Sequence, residues 1–217
     1  NGKVPVGRRR DLREVGHAEH LPAIPQRAEL GGEGRARPPP DPHVDLIEDH
    51  RCRGPGFGQS DAPDHTGFAY TFQHYADIVD ALMGQLKADR YAMYVMDYGA
   101  PVGYRLALKH PERISALIIQ NGNAYDEGLK EFWDPIKTYW SDGSEKSREA
   151  LSGLVTLETT KFQYTDGMED VSRISPDNWV HDQALLDRPG NKDIQLDMLY
   201  DYRTNVPLYP DFQNFFR

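Results

Sequence analysis

The sequence predicts an α/β fold, a parallel sheet flanked by helices and followed by a helical insertion. Three observations carry this. A short apolar run, Tyr91 to Val95, ends at a carboxylate, Asp97, and passes through Gly99 into a helix-compatible segment that reaches His110. A second apolar run, Ile114 to Gln120, follows Pro111. Beyond Tyr125 the spacing of apolar residues becomes helical and no further buried strand is evident. Strands that alternate with helices pair in parallel through helical crossovers.

The elements follow in order. Residues 1–54 form an irregular arm rich in Arg, Pro, Gly and His. It has a single lysine, Lys3, and no aromatic residue before Phe57. Pro38-Pro39-Pro40 and Pro42 forbid regular structure locally. Two readings of the arm stand side by side. One is a disordered segment whose low apolarity cannot offset the entropy of ordering it. The other is a segment foreign to the fold, such as a translation from a shifted frame. After Gly54 the composition is that of a folded protein, with 12 Tyr, 8 Phe and 3 Trp. Thr71 is a plausible cap for a helix over 72–88 that presents Tyr75, Val79, Leu82, Met83 and Leu86 on one face. A strand over 91–96, a helix over 100–110 and a strand over 114–120 come next. Gly103 allows the second helix to approach the sheet closely, and an all-apolar second strand fits a sheet covered on both faces. Helices are then expected over 127–140, 145–163, 176–187, 193–203 and 210–216. Ser175-Pro176-Asp177 reads as a helix start and Arg188-Pro189-Gly190 as a stop.

The passage from Val95 to Gly99 carries the chemistry. A strand, a sharp turn through small residues and a helix form the elbow that lifts one side chain clear of the sheet. Here that side chain is Asp97, so the pattern points to displacement at carbon and an ester on a carboxylate. The elbow also leaves the N–H of Tyr98 available to an oxyanion.

Val95-Met96-Asp97-Tyr98-Gly99-Ala100-Pro101-Val102-Gly103, the following Leu108-Lys109-His110-Pro111-Glu112-Arg113 and the run from Ile114 to Ile119 resemble an α/β-hydrolase of the epoxide hydrolase and haloalkane dehalogenase group. Pro55-Gly56-Phe57-Gly58-Gln59-Ser60 is similar to that group's Gly-Phe-Gly-x-Ser loop. The resemblance runs from about Gly54 to the chain's last residue. It implies an α/β-hydrolase core over 55–124 and a helical cap domain over 125–217. It also implies Asp97 as nucleophile, the Tyr98 N–H as an oxyanion donor, and cap tyrosines that protonate an opening epoxide, for which Tyr139, Tyr200 and Tyr202 are candidates. The group's second oxyanion donor and its base His with a carboxylate partner have no counterpart in this sequence. His110 would stand about 20 Å from Asp97 along the elbow helix. No metal or organic cofactor is implied. Tyr98 replaces the Trp that holds a departing halide in haloalkane dehalogenases, so an epoxide is preferred to a haloalkane. The alternatives are a haloalkane dehalogenase-like hydrolase and a non-catalytic relative that acts as a binding module.

The bulk properties narrow the partners. A net charge of −9 argues against nucleic acid and against an anionic membrane surface. No apolar run nears the ~20 residues of a membrane span. The single cysteine, Cys52, permits no internal disulfide, and a soluble cytoplasmic protein acting on a small-molecule substrate is expected. The oligomeric state is left open. His17-x-x-His20 and Asp41-x-His43-x-Asp45 have loosely metal-like spacing, but in such sequence they read as solvated charge clusters. Ser60 lacks the preceding strand that a serine elbow needs. A parallel sheet short of strands exposes edges and apolar faces and invites aggregation.

Overall fold

The computed structural model describes residues 54–217. The arm up to Arg53, with Cys52 and the two metal-like spacings, lies outside the described residues. Helix α1 (Phe72–Gln85) leads into strand β1 (Tyr91–Met96), helix α2 (Gly99–Lys109) and strand β2 (Ile114–Gln120). Helices α3 (Asp134–Asp142), α4 (Glu145–Ala150), α5 (Leu157–Thr165), α6 (Asp177–Leu186), α7 (Asn191–Asp201) and α8 (Tyr209–Phe215) follow, with short 3-10 turns between them.

β1 and β2 pair in parallel, with Val95 opposite Ile119 and Met96 opposite Gln120. This is the arrangement the β–turn–α–β pattern predicts. Among the described residues the sheet has these two strands alone, and it is not covered on both faces. Tyr94, Met96, Ile118 and Ile119 are exposed. Helix α2 packs on β1 at Gly103, where an added Cβ would stand 2.6 Å from Val95 Cγ1. A helix can approach a strand that closely only without a side chain at the contact.

Thr71 caps α1 by accepting the His74 N–H at 3.1 Å. The buried stripe of this helix is Phe72, Tyr75, Ala76 and Leu82. The expected stripe shared only Tyr75 and Leu82 with it, and Leu86 is 54% exposed. The helix stops at Gln85 because Lys87 enters the left-handed region at φ +54°.

Three expected helices are shorter or broken. The segment 127–140 begins with two single 3-10 turns, and its α-helix starts only at Asp134, where Pro135 occupies the first turn. The segment 145–163 breaks at Leu151, which turns inward and is 2% exposed. Thr156 then starts α5 by capping Thr159 N–H. The last turn expected of 193–203 tightens into a 3-10 turn over Tyr202–Thr204. The helices expected over 176–187 and 210–216 form within a residue of those bounds.

Long polar ties join these elements. Buried Arg105 of α2 donates through Nη1 to Asn205 Oδ1, and through Nη2 to Thr204 Oγ1 at 3.0 Å. The Asp201 carboxylate accepts the Phe72 N–H at 2.8 Å, which ties the end of α7 to the start of α1. Arg148 of α4 donates to Asp197 Oδ1 at 2.6 Å, to Asp193 Oδ1 at 3.1 Å and to the Tyr139 hydroxyl at 3.2 Å. His65, in the loop before α1, meets the other oxygen of Asp197 at 2.9 Å. Arg188 donates to the carbonyls of Gly58 and Ser60 at 2.6 and 2.9 Å and so holds the Gly-Phe-Gly-x-Ser loop. Among the described residues no helix is long and apolar enough to cross a membrane.

Candidate active site

Asp97 follows the last residue of β1 and adopts φ +47°. Few residues other than Gly take this left-handed conformation, and Asp is among the more tolerant of it. Its N–H lies 3.4 Å from the Gln120 carbonyl, so the β ladder reaches the turn, and its own carbonyl accepts the Ala100 N–H at 3.0 Å to start α2. The strained turn therefore joins a paired strand directly to a helix. The positive end of α2 lies beside the carboxylate.

Asp97 is exposed to solvent along one side, while protein atoms surround its carboxyl group on the other. This surrounding desolvates the carboxylate and pushes its pKa above the ordinary value, while the neighbouring Tyr98 N–H works the other way. Desolvation is the larger of the two effects.

An aromatic wall stands beside Asp97. The Tyr98 ring meets Phe72 edge-on with centroids 5.4 Å apart and Phe57 at 6.5 Å. Tyr202 lies 6.3 Å from Tyr98 and 5.6 Å from Phe72, and it also packs on Trp133 and Trp140. The phenols of Tyr98 and Tyr202 are driven well up by burial, and the nearby charge of Asp97 adds to the shift in both. Both rings therefore stay neutral and able to donate a proton in a hydrogen bond.

Of the three candidate tyrosines, Tyr202 is the one whose phenol senses Asp97. Tyr139 and Tyr200 stack on each other with centroids 4.7 Å apart. The Tyr139 hydroxyl accepts from Arg148, and the Tyr200 ring lies 3.6 Å beneath the Arg203 guanidinium. Sequence reading did not single out two residues that lie near Tyr202. Tyr209 opens α8, and Asn123 lies in the turn after β2; Asn123 Nδ2 donates to the Tyr209 hydroxyl at 3.0 Å. Asn123 gave no signal beyond its place just after a buried-type strand, where side chains at the carboxyl end of a parallel sheet face a site.

The described histidines are engaged away from Asp97. His65 is held by Asp197 at 2.9 Å, His74 by the Ala69 carbonyl at 2.8 Å and His110 by Asp80 at 3.2 Å. His181 lies on the exposed surface of α6.

Gly122 supports the elbow from the β2 side. A Cβ there would stand 2.4 Å from Ala100 Cβ and 2.6 Å from the Tyr104 hydroxyl. Ala100 lies in the first turn of α2 and cannot swing aside. Gly122→Ala is therefore expected to lower stability by about 1–3 kcal/mol through overpacking. The midpoint of chemical unfolding reads this directly, and an unchanged midpoint would show that no such wedge exists.

The α/β hydrolase fold family matches residues 55–166, a span that includes the loop held by Arg188, the elbow and both strands. An uncharacterized hydrolase of Saccharomyces cerevisiae is 40% identical over 167 residues, which is 75% of this chain and 57% of that protein. A cis-3-alkyl-4-alkyloxetan-2-one decarboxylase of Shewanella oneidensis is 35% identical over 86 residues, 39% of this chain and 26% of its own length. A haloalkane dehalogenase of Mycolicibacterium paratuberculosis is 33% identical over 67 residues, covering 31% of this chain and 22% of the relative. The chain thus spans little more than half the length of the yeast relative. With its parallel strands, its strained Asp97 turn and this match over more than half its residues, the chain belongs to the α/β-hydrolase fold family.

Proposed function

We propose that the protein is a hydrolase that opens a small organic electrophile, an epoxide by preference, through a covalent ester on Asp97. The observation that carries this reading is Asp97 itself, a carboxylate held at φ +47° between β1 and α2. One carboxylate oxygen attacks a ring carbon and forms the ester C–O bond. The ring C–O bond breaks, and its electron pair goes to the ring oxygen, which takes a proton from Tyr202. The preference for an epoxide rests on the neutral phenol of Tyr202 beside Asp97, because an epoxide oxygen needs a proton as it leaves. The Tyr98 N–H, which follows Asp97 in the turn, would face the oxygen that carries the negative charge when water attacks the ester carbon.

In this reading residues 55–124 are the catalytic core and residues 125–217 the cap. Tyr202, in the cap, is the tyrosine of the three candidates whose phenol responds to the charge of Asp97. Tyr139 and Tyr200 stack on each other within the cap. A haloalkane is the second reading, supported by the likeness to a haloalkane dehalogenase. The relative named for an oxetan-2-one is also named for a strained ring, which is in keeping with ring opening.

Hydrolysis of the ester needs a base that activates water. None of the described histidines contacts Asp97, so the ester is expected to accumulate in this chain. The test is incubation with a reactive epoxide, followed by intact mass and peptide mapping. One adduct per chain, placed on Asp97 and not on the thiol of Cys52, supports the proposal. A folded protein with no adduct at Asp97 overturns it.

The capture rate should also depend on pH. The nucleophile is the ionised form, and burial raises the Asp97 pKa. Capture is therefore expected to rise with pH and level off only above a midpoint higher than an ordinary carboxylate's value of about 4. Stability runs the opposite way. The folded state holds the proton more tightly than the unfolded chain, so the contribution of this group is lost as pH rises from the ordinary carboxylate range through the raised folded value. A capture profile with its midpoint at or below the ordinary range would contradict a desolvated nucleophile.

A further inference from the structure

His65 is set apart from the other described histidines by what its two ring nitrogens face. Its Nδ1 lies 2.9 Å from Asp197 Oδ2. An ionised carboxylate can only accept, so Nδ1 carries the proton, and in the neutral ring Nε2 holds the free electron pair. Nε2 has no bonding partner among the described residues, and the side chain is 32% exposed, so a solute can reach the ring. His74 is held instead by a neutral group, the Ala69 carbonyl, at 2.8 Å. His110 faces Asp80 at 3.2 Å and Glu112 at 3.6 Å, so each of its nitrogens is turned to a carboxylate.

Both members of the pair are fixed by bonds of their own. Asp197 Oδ1 accepts from Arg148 Nη1 at 2.6 Å, and Arg148 is held in turn by Asp193 Oδ1 at 3.1 Å and the Tyr139 hydroxyl at 3.2 Å. His65 sits in a turn closed by the Gly67 and Phe68 N–H groups, each 3.0 Å from the Asp64 carbonyl. The Asp64 carboxylate tightens the same turn by accepting the Thr66 N–H at 2.8 Å. A carboxylate so placed holds an imidazole in one tautomer and orientation and stabilises positive charge that develops on the ring.

We propose that His65 and Asp197 form a second nucleophilic site, one that takes the acyl group of an activated ester, such as an aryl ester, and passes it to water. The site shares no residue with the Asp97 turn. His65 Nε2 attacks the ester carbonyl carbon and forms a C–N bond. The bond from that carbon to the aryl oxygen breaks, and its electron pair leaves with the oxygen as a phenolate. The ring is then an acyl-imidazolium whose Nδ1 proton still faces Asp197. Water adds to the acyl carbon, the C–N bond breaks with its electron pair returning to Nε2, and the acid departs with its proton going to solvent. The substrate class follows from the proton count. The one ring proton is engaged by Asp197, so the pair has none to give, and the leaving group has to depart as a stable anion.

The test uses the 217-residue chain at a pH of about 8, above the ordinary imidazole range. Limiting diethyl pyrocarbonate leaves a lasting acyl mark on imidazole, and peptide mapping over time gives the rate at each histidine. His65 is expected to react about fivefold or more faster than His74, the scale of a partly exposed charge pair. Asp197→Asn should bring His65 down to the His74 rate and leave His74 unchanged. Turnover is read from p-nitrophenyl acetate. Nitrophenolate release should pass one equivalent per chain, and His65→Gln should slow it by about a third or more, since seven slower histidines remain. The comparison of His65 with His74 is made within the wild-type chain, so it holds whether or not Asp197→Asn folds well. A His65 that reacts no faster than His74, or a His65→Gln chain that releases nitrophenolate at the wild-type rate, overturns the inference.

Discussion

Asp97→Asn is expected to abolish covalent capture of an epoxide, lowering its rate about 10,000-fold or more, while the protein stays folded. The size follows from the proposed role. Removing a covalent nucleophile leaves only binding and the remaining polar groups to act on the substrate. The amide has the shape of the carboxylate but lacks the charge and the electron pair that attacks carbon. The choice of Asn matters because of the backbone. At φ +47° most side chains would add strain, whereas Asn, like Asp, tolerates the left-handed region. The substitution also removes a carboxylate whose burial disfavours its charge, so stability at neutral pH should not fall. Capture and unfolding, measured on the same preparation, separate the two effects. Capture that persists at the wild-type rate would place the nucleophile elsewhere. By contrast, Asp97→Ala is expected to destabilise by about 1–2 kcal/mol, because Ala pays the full left-handed cost.

Phe72→Ala is expected to cost about 3–5 kcal/mol, a large part of the 5–15 kcal/mol that holds a typical domain together. Phe72 is fully buried, at 0% exposure, in the first turn of α1. Its ring meets Tyr98 and Tyr202 edge-on, with centroids 5.4 and 5.6 Å away, and the Arg105 guanidinium lies over it at 5.8 Å. Truncation would thus open a cavity between the elbow residue Tyr98 and Tyr202, the proton donor proposed above. The Asp201 carboxylate that accepts the Phe72 N–H would remain, so the helix start should survive. The expected signature is a lower unfolding midpoint together with slower epoxide capture in the fraction that is folded. A loss of less than about 1 kcal/mol would mean that the wall collapses to fill the space, and that Tyr98 and Tyr202 do not depend on this ring for their placement.

The elbow was legible in the sequence because its signals are local. An apolar run stopped by Asp97, Gly99 two residues later and Gly103 on the helix together leave little choice but a strand, a tight turn and a helix against that strand. The Thr71 cap was legible for the same reason. What escaped was assembled over long separations. Asn123 and Tyr209 meet across 86 positions, and Arg105 reaches Asn205 across 100. No periodicity within one element marks such a pair. The stripe on α1 was misjudged at Leu86 because spacing defines a helix face without saying where the neighbouring elements end. The break at Leu151 was missed because Leu suits a helix interior. It was the pull of a core position, together with the start that Thr156 offers to α5, that turned the chain there. The aromatic wall was visible only as an abundance of tyrosine, and which tyrosine faces Asp97 depends on where α7 ends.

The polar tie through Asp197 bears on how the molecule opens. One carboxylate holds both Arg148 and His65, and the His65 contact spans 132 positions along the chain. Neither the loop before α1 nor helix α7 can leave its place without breaking a bond to the other. Segments coupled in this way open as one cooperative unit. In native-state hydrogen exchange, the Phe68 amide, bonded to the Asp64 carbonyl within that loop, should share the opening free energy of the amides of α7 and lose it with them when Asp197 is replaced.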